Sequence, residues 1–246
     1  MIQPSLRFLK CGLLLVGTCM LANFVAAAEP KPNVIVFLTD DQGWGDLGCY
    51  GHPRIQSPNV DRGPYRGYKA DIWEGGHRVP FLVRWPSIIK PNSSSSQLIC
   101  HVDLIATCAD ILSVRLPGTA AVDSVSFLPA LHGTDQAPLR EAVVHHSIDG
   151  MFAIRQGKWK LEFCAGSGGW GSPKEVEARS SGLPAVQLYD LDSDMTESKN
   201  IESDNPNVVE QLTQLLNKYI ADGRSTPGPK QSNDVDVEAF KTGKRK

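Results

Sequence analysis

Two adjacent carboxylates, Asp40 and Asp41, follow the apolar run at residues 34–38, VIVFL. Neighbouring acids repel one another unless a cation, hydrogen-bond donors or water separate them. A hard cation such as calcium takes about six to eight oxygen ligands, so this pair supplies only part of a site. Taken alone, it reads as the solvated end of a strand. Gly43, Gly45, Gly48 and Gly51 follow, in a loop able to lie close to an ion or substrate. Lys69 on its own is a surface charge. His145 and His146 are adjacent, and on a strand they point to opposite faces, so they do not share one ion. His52 and His101 lack partners at ligand spacing.

The elements that must position these groups alternate between strand and helix patterns. The continuous β-branched run at 34–38 reads as a central strand covered on both faces, and ligands of such sheets gather beyond the carboxyl ends of the strands. Residues 81–85, FLVRW, read as a second short strand stopped by Pro86. Leu104, Ile105, Cys108, Ile111 and Leu112 fall at helical spacing, with Asp103 placed to cap the start. Residues 142–144 read as a brief strand. Residues 151–155 and 159–163 flank a QGK turn and read as a β-hairpin, with another strand at 186–191. The last helix is bounded by Asn205, Pro206 and Gly223, with an apolar stripe of Val208, Val209, Leu212, Leu215, Leu216, Tyr219 and Ile220.

The 246 residues carry a net charge of −2, which gives no support to nucleic-acid binding or a polybasic membrane patch. Residues 1–28 combine Arg7 and Lys10 with an apolar stretch and an Ala26-Ala27-Ala28 cleavage site, the pattern of a signal peptide. The stretch is too short to be a comfortable membrane span, so the expectation is an exported protein with no stable anchor. Cys49, Cys100, Cys108 and Cys164 would remain after cleavage. Cys100 and Cys108 sit roughly 12 Å apart along one helix, too far to bridge. Free thiols are the expectation.

PNVIVFLTDDQGWGDLGCYGHPRIQSPNVDR at 32–62 resembles the opening of a sulfatase of the alkaline-phosphatase superfamily. From Gly63, GPYRGYKADIWEGGHRVPFLVRWP resembles a segment from much later in that family, and GKWKL…LYDL resembles its C-terminal subdomain. The resemblance implies that Asp40 and Asp41 derive from a calcium site, and that Lys69 is the catalytic lysine contacting the sulfate ester. An ammonium there stabilises the negative oxygens as the S–O bond breaks. Glu74 and Arg78 fix the local turn, Gly75-Gly76 supplies unusual backbone angles, and His77 falls at a position the family pattern leaves free. The family's nucleophile is a formylglycine made from the Cys or Ser of C-x-P-S-R. No Cys or Ser in this chain begins that motif. The family's Asp-Asn ligand pair, two histidines and second lysine are also unmatched.

The expected fold is α/β, a remnant of the sulfatase mixed sheet with flanking helices plus a small C-terminal antiparallel sheet and helix. The expected organisation is a signal peptide at 1–28 and a partial N-terminal domain at 29–141 with a junction at 62/63. A C-terminal subdomain at 142–223 and a disordered tail at 224–246 follow. The resemblance implies a sulfuric ester hydrolase of arylsulfatase type, inactive in this form and acting by descent on a sulfate ester or sulfated glycan. The alternative is an exported, non-catalytic remnant that binds ligand or calcium.

Overall fold

The computed structural model describes residues 32–36, 65–79 and 81–241. The chain forms two units, 1–34 and 35–246, and every helix and strand below lies in the second. In order these are α1 (Glu74–His77), α2 (Asp103–Leu112), α3 (Leu128–His132), β1 (Val143–His146), β2 (Phe152–Gln156), β3 (Trp159–Glu162), α4 (Glu175–Ser180), β4 (Gln187–Asp190) and α5 (Pro206–Asp222).

The four strands form an antiparallel meander in the order β1-β2-β3-β4. Ile154 pairs with Leu161 and Leu161 with Leu188, so one apolar row crosses three strands. Side chains alternate along a strand, and this row faces α5, where Leu212, Leu216 and Tyr219 close the main core. The α5 stripe is the one the sequence predicts, and Gly223 ends the helix at φ 61°.

The opposite face of the same sheet is polar. Arg155, Lys160 and Tyr189 stand in register, as do His145, Ala153, Glu162 and Gln187. A strand reading WKLE would ordinarily turn its Lys and Glu to water. Here residues 66–78 cover that face, and Ile72, Trp73, Met151, Ala153, Cys164, Tyr189 and Leu191 form a second apolar cluster around its buried charges.

Three expectations differ from the structure. The described part of the 34–38 run forms no strand, with Val34, Ile35 and Val36 at 53, 76 and 57% exposure; Phe37 and Leu38 lie outside the described residues. Residues 81–85 likewise form no strand. Asp103 does not cap α2 but begins it. Its carboxylate accepts from the backbone N–H groups of Cys100 (2.8 Å) and Val125 (2.9 Å) and pairs with Arg140 at 2.7 Å. An acid that can satisfy three partners across a loop gains more there than at a helix end.

Residues 224–241, read from composition as a tail, are mostly exposed but anchored at a few points. The Arg224 guanidinium donates to the carbonyls of Gly118, Thr226, Pro227 and Pro229, and Phe240 meets Phe163 edge-on at 5.1 Å. Cys100, Cys108 and Cys164 are free thiols, and Cys49 lies outside the described residues.

Amide hydrogen exchange checks this division. Val34, Ile35 and Val36 are exposed, so their amides should exchange faster than those of the sheet core. Leu161, Leu188 and the interior of α5 should exchange slowest, and equal protection in the two regions would contradict this packing.

Candidate functional site

Lys69 occupies a four-residue turn in which the Asp71 N–H donates to the Tyr68 carbonyl at 3.0 Å. Ala70, in the third position, takes φ 87°, a left-handed conformation that costs a side-chain-bearing residue on the order of 1–3 kcal/mol. The buried Asp71 carboxylate holds the turn in place. One oxygen accepts from the Tyr68 N–H at 3.2 Å and the other from the Gly171 N–H at 2.7 Å. The Ile148 N–H donates to the Ala70 carbonyl and the Ile72 N–H to the Ser167 carbonyl.

Space under the turn is tight. A Cβ at Gly169 would lie 2.3 Å from the Ala70 carbonyl oxygen, and one at Gly171 would lie 2.5 Å from the Asp71 carboxylate. The Gly-rich stretch after β3 is therefore a cradle for the Lys69 turn. The same constraint explains Gly75-Gly76. Neither has positive φ, but added Cβ atoms would come within 2.3 Å of the Gly67 and Asp71 carbonyl oxygens. The pair supplies room for close backbone approach, not the unusual angles expected from the sequence.

Beyond the turn, Trp73 is sandwiched. The Arg66 guanidinium lies 3.7 Å over its ring, and its indole N–H donates to Gln187 at 3.3 Å. Glu74 is buried at the start of α1, and its backbone N–H donates to the Glu197 carboxylate at 2.6 Å. Its own carboxylate meets Arg78 at 2.7 Å, Arg155 at 3.2 Å and Lys160 at 3.2 Å. Arg78 also reaches the Tyr65 hydroxyl. Glu74 and Arg78 do fix the local turn, and they also fasten it to the sheet.

Lys160 is fully buried and lies within 3.2 Å of three carboxylates, those of Glu74, Glu162 (3.1 Å) and Glu197 (2.7 Å), and donates to the Ile72 carbonyl at 3.0 Å. Burial pulls its pKa down, but the three acids outweigh it and raise the value above the ordinary range. Burial works to raise Glu74, yet Lys160, Arg155 and Arg78 together hold it at about 2. Glu162 goes the other way. Burial and the neighbouring Glu197 outweigh Lys160 and push it well above the carboxylate range. Its oxygens make no well-directed hydrogen bond among the described residues, although the Lys160 ammonium lies close. Beside the same ammonium, Glu162 is thus pushed toward its protonated form while Glu74 is held toward its ionised one.

His77 stacks on His145, ring centroids 4.0 Å apart, and burial, then Lys160, lowers it to about 4. His146 points to the other face, so the two adjacent histidines share no site. Among the described residues no group of three or more His, Cys, Asp or Glu is arranged to hold a metal ion. Asp40 and Asp41 lie outside the described residues.

A family model described as the C-terminal part of N-sulphoglucosamine sulphohydrolase matches residues 67–165, a span that carries the Lys69 turn, α1 and β1 to β3. An N-acetylgalactosamine-6-O-sulfatase of Bacteroides thetaiotaomicron is 33% identical over 79% of this chain and 38% of its own length. The chain belongs to the sulfatase family. An arylsulfatase of Hemicentrotus pulcherrimus is 32% identical over 53% of the chain and 22% of its own. A solved structure from a glycosaminoglycan-metabolism locus of Bacteroides thetaiotaomicron is 35% identical, covers 63% of this chain and 31% of its own, and gives a TM-score of 0.53. Another, solved with a neocarrahexaose, is 19% identical with a TM-score of 0.51 over 70% and 35% of the two chains, and supports the fold alone. This sulfatase chain spans well under half the length of the relatives it matches. Its helices and four-stranded antiparallel sheet, with a sulfatase-fold neighbour, agree with the α/β architecture expected from the sequence.

Sequence reasoning missed Asp71, Lys160, Glu162 and Glu197. The signal was present in the strand alternation. Lys160 and Glu162 share a face with Arg155, Gln187 and Tyr189, and a polar face on three strands calls for a polar cover.

Two outcomes follow. Lys160→Met strips the buried carboxylates around it of their shared ammonium and should cost about 3–5 kcal/mol in urea denaturation, whereas Glu162→Gln, at the acid that burial pushes toward its protonated form, should cost far less. Equal losses would show that Glu162 is ionised. His77 and Glu74 bind fewer protons folded than unfolded, so each adds stability that is lost on acidification. The window is pH 6.5 to about 4 for His77 and 4.5 to about 2 for Glu74. Glu162 has the opposite sign, stabilising most below pH 4.5. His77→Gln should therefore flatten the stability loss between pH 6.5 and 4, and an unchanged slope would remove His77 from this account.

Proposed function

We propose that the chain descends from a sulfuric ester hydrolase of arylsulfatase type and does not itself turn over substrate. The supporting observation is the Lys69 turn. It is strained at Ala70, clasped by Asp71 and Gly171, and embedded in the K-x4-E-G-G-x-R-V-P pattern of the family. Such a turn fixes the backbone from which the Lys69 side chain springs, and an ammonium carried there could meet sulfate-ester oxygens as charge develops on them. Yet no Cys or Ser of the chain begins C-x-P-S-R, so no formylglycine can form. The names of the relatives favour a sulfated sugar or aryl sulfate as the ancestral substrate.

Calcium enters this reading only through Asp40 and Asp41. Two carboxylates leave most of a shell of about six to eight oxygens to water. The leader at 1–28 supports export, and no helix among the described residues is long and apolar enough to cross a membrane. A second reading, a ligand-binding remnant without turnover, rests on the same turn, which keeps its clasp where the nucleophile motif is missing.

The purified chain should hydrolyse a generic aryl sulfate no faster than background, and calorimetry should find only weak calcium binding, about 0.1–1 mM in dissociation constant. Turnover lost in both Lys69→Ala and Asp40→Asn would overturn the proposal, and turnover unaffected by either would identify a contaminant.

A further inference from the structure

Residues 160–169 are buried throughout, as is Gly171, and between them Trp170 stands 52% exposed. Among the described residues it is the only exposed tryptophan; Trp73 is buried, and Trp85 and Trp159 are half-buried. Its indole makes no hydrogen bond, ring contact or cation contact among the described residues. A ring that served to hold the loop would be turned inward, as Trp73 is.

The backbone that carries Trp170 is fixed on both sides. The Glu175 carboxylate accepts from the N–H groups of Ala165 and Gly166, at 3.0 and 2.9 Å, and the Ser167 N–H donates to the Pro173 carbonyl at 2.9 Å. The Ser167 hydroxyl donates to the Gly171 carbonyl at 2.9 Å and accepts from the Gly169 N–H at 3.2 Å, so one side chain spans Trp170. The Lys174 ammonium adds a bond to the Gly169 carbonyl at 3.3 Å. Gly169 and Gly171, the two neighbours of Trp170, are the residues that lie against Ala70 and Asp71. The indole and Lys69 therefore spring from adjoining points of backbone, and little ordering is left to do on binding.

A single exposed apolar residue needs no explanation, but Trp170 has company. Tyr68, which begins the Lys69 turn, is 54% exposed, and Ile148 is 56% exposed. The Ile148 N–H donates to the Ala70 carbonyl at 3.0 Å and the Asp149 N–H to the Gly168 carbonyl at 3.3 Å, which ties this third segment to the other two. Three segments thus meet at the turn, and each exposes one large apolar side chain. Ligand sites combine such surfaces with a few polar groups that fix orientation, and aromatic faces take flat rings by stacking.

We propose that Trp170 is a binding residue of the Lys69 turn, its indole forming with Tyr68 and Ile148 an apolar floor for the flat organic body of a ligand whose anionic group Lys69 meets. This rests on the ligand-binding reading of the turn and adds to it a residue outside the K-x4-E-G-G-x-R-V-P pattern. The experiment is a ¹⁵N-resolved NMR titration of the full mature chain with two esters of equal charge, 4-nitrophenyl sulfate and methyl sulfate. The aryl ester should move the Trp170 indole N–H and the amides of residues 68–71, and should bind about tenfold tighter than methyl sulfate. Trp170→Ala should remove that advantage and leave methyl sulfate binding unchanged, and Trp170→Phe should restore most of it. Lys69→Ala should weaken both esters alike. Unshifted α5 signals will show that each variant is folded. Equal losses for the two esters in Trp170→Ala would reduce the indole to a structural part and overturn the proposal. Losses in Lys69→Ala with none in Trp170→Ala would overturn the floor alone and leave the reading of the turn standing. Esters that ignore Lys69→Ala, or that bind nowhere near the turn, would bring down that reading and this inference with it. A dimer in sedimentation that Trp170→Ala dissolves would assign the indole to a contact between copies and overturn the proposal as well.

Discussion

Lys160 has no exposed surface and faces three carboxylates, and the placement of everything on that side of the sheet depends on how this charge is balanced. A buried ammonium is costly unless its partners are near and well directed. Here they come from three separate pieces of chain: Glu162 from its own strand, Glu197 from the loop after β4, and Glu74 from the start of α1. Burial and the nearby Glu197 push Glu162 toward its protonated form, which eases the crowding of three acids around one ammonium. The apolar core under α5 does not specify where residues 66–78 dock. The charged layer, with Ile72 and Trp73 in the second apolar cluster, fastens them: Glu74 meets Arg155 and Lys160 on the sheet and gives its backbone N–H to Glu197.

That layer reaches the Lys69 turn through a short connection. Ile72 gives its carbonyl to Lys160 and its N–H to Ser167, one residue after Asp71 clasps the turn. Anchors on both sides of Ala70 oppose its relaxation out of the left-handed region. The glycines at 169 and 171 then let the turn sit flush on the loop beneath it.

The meander, the hairpin and α5 were legible because their residues obey local rules: alternation in the strands, a 3.6-residue stripe with Pro206 and Gly223 as bounds in the helix. Residues 34–38 and 81–85 were read as strands from composition alone, but β propensity describes a surface that fits a sheet and cannot supply the neighbouring strand. The polar layer stayed hidden for a different reason. Alternation shows that Lys160 and Glu162 share a face, but whether that face meets water depends on a segment about 90 residues away. Asp71 gave no sign because its partners are backbone N–H groups, which every residue has, and Glu197 because its partners, Lys160 and the Glu74 N–H, lie far away in sequence.

The distance along the chain between Glu74 and Glu197 also sets an order of events. Their hydrogen bond joins residues 123 positions apart. At about 5–20 residues per second of synthesis, the segment carrying Lys69 leaves the ribosome roughly 6–25 s before its last acidic partner exists. The β1–β4 meander closes only contacts between sequential neighbours and can assemble in that interval. Residues 66–78 cannot dock finally until the loop after β4 has emerged. The piece of the fold nearest the family's chemistry is thus made early and secured late, only after the loop following β4 exists.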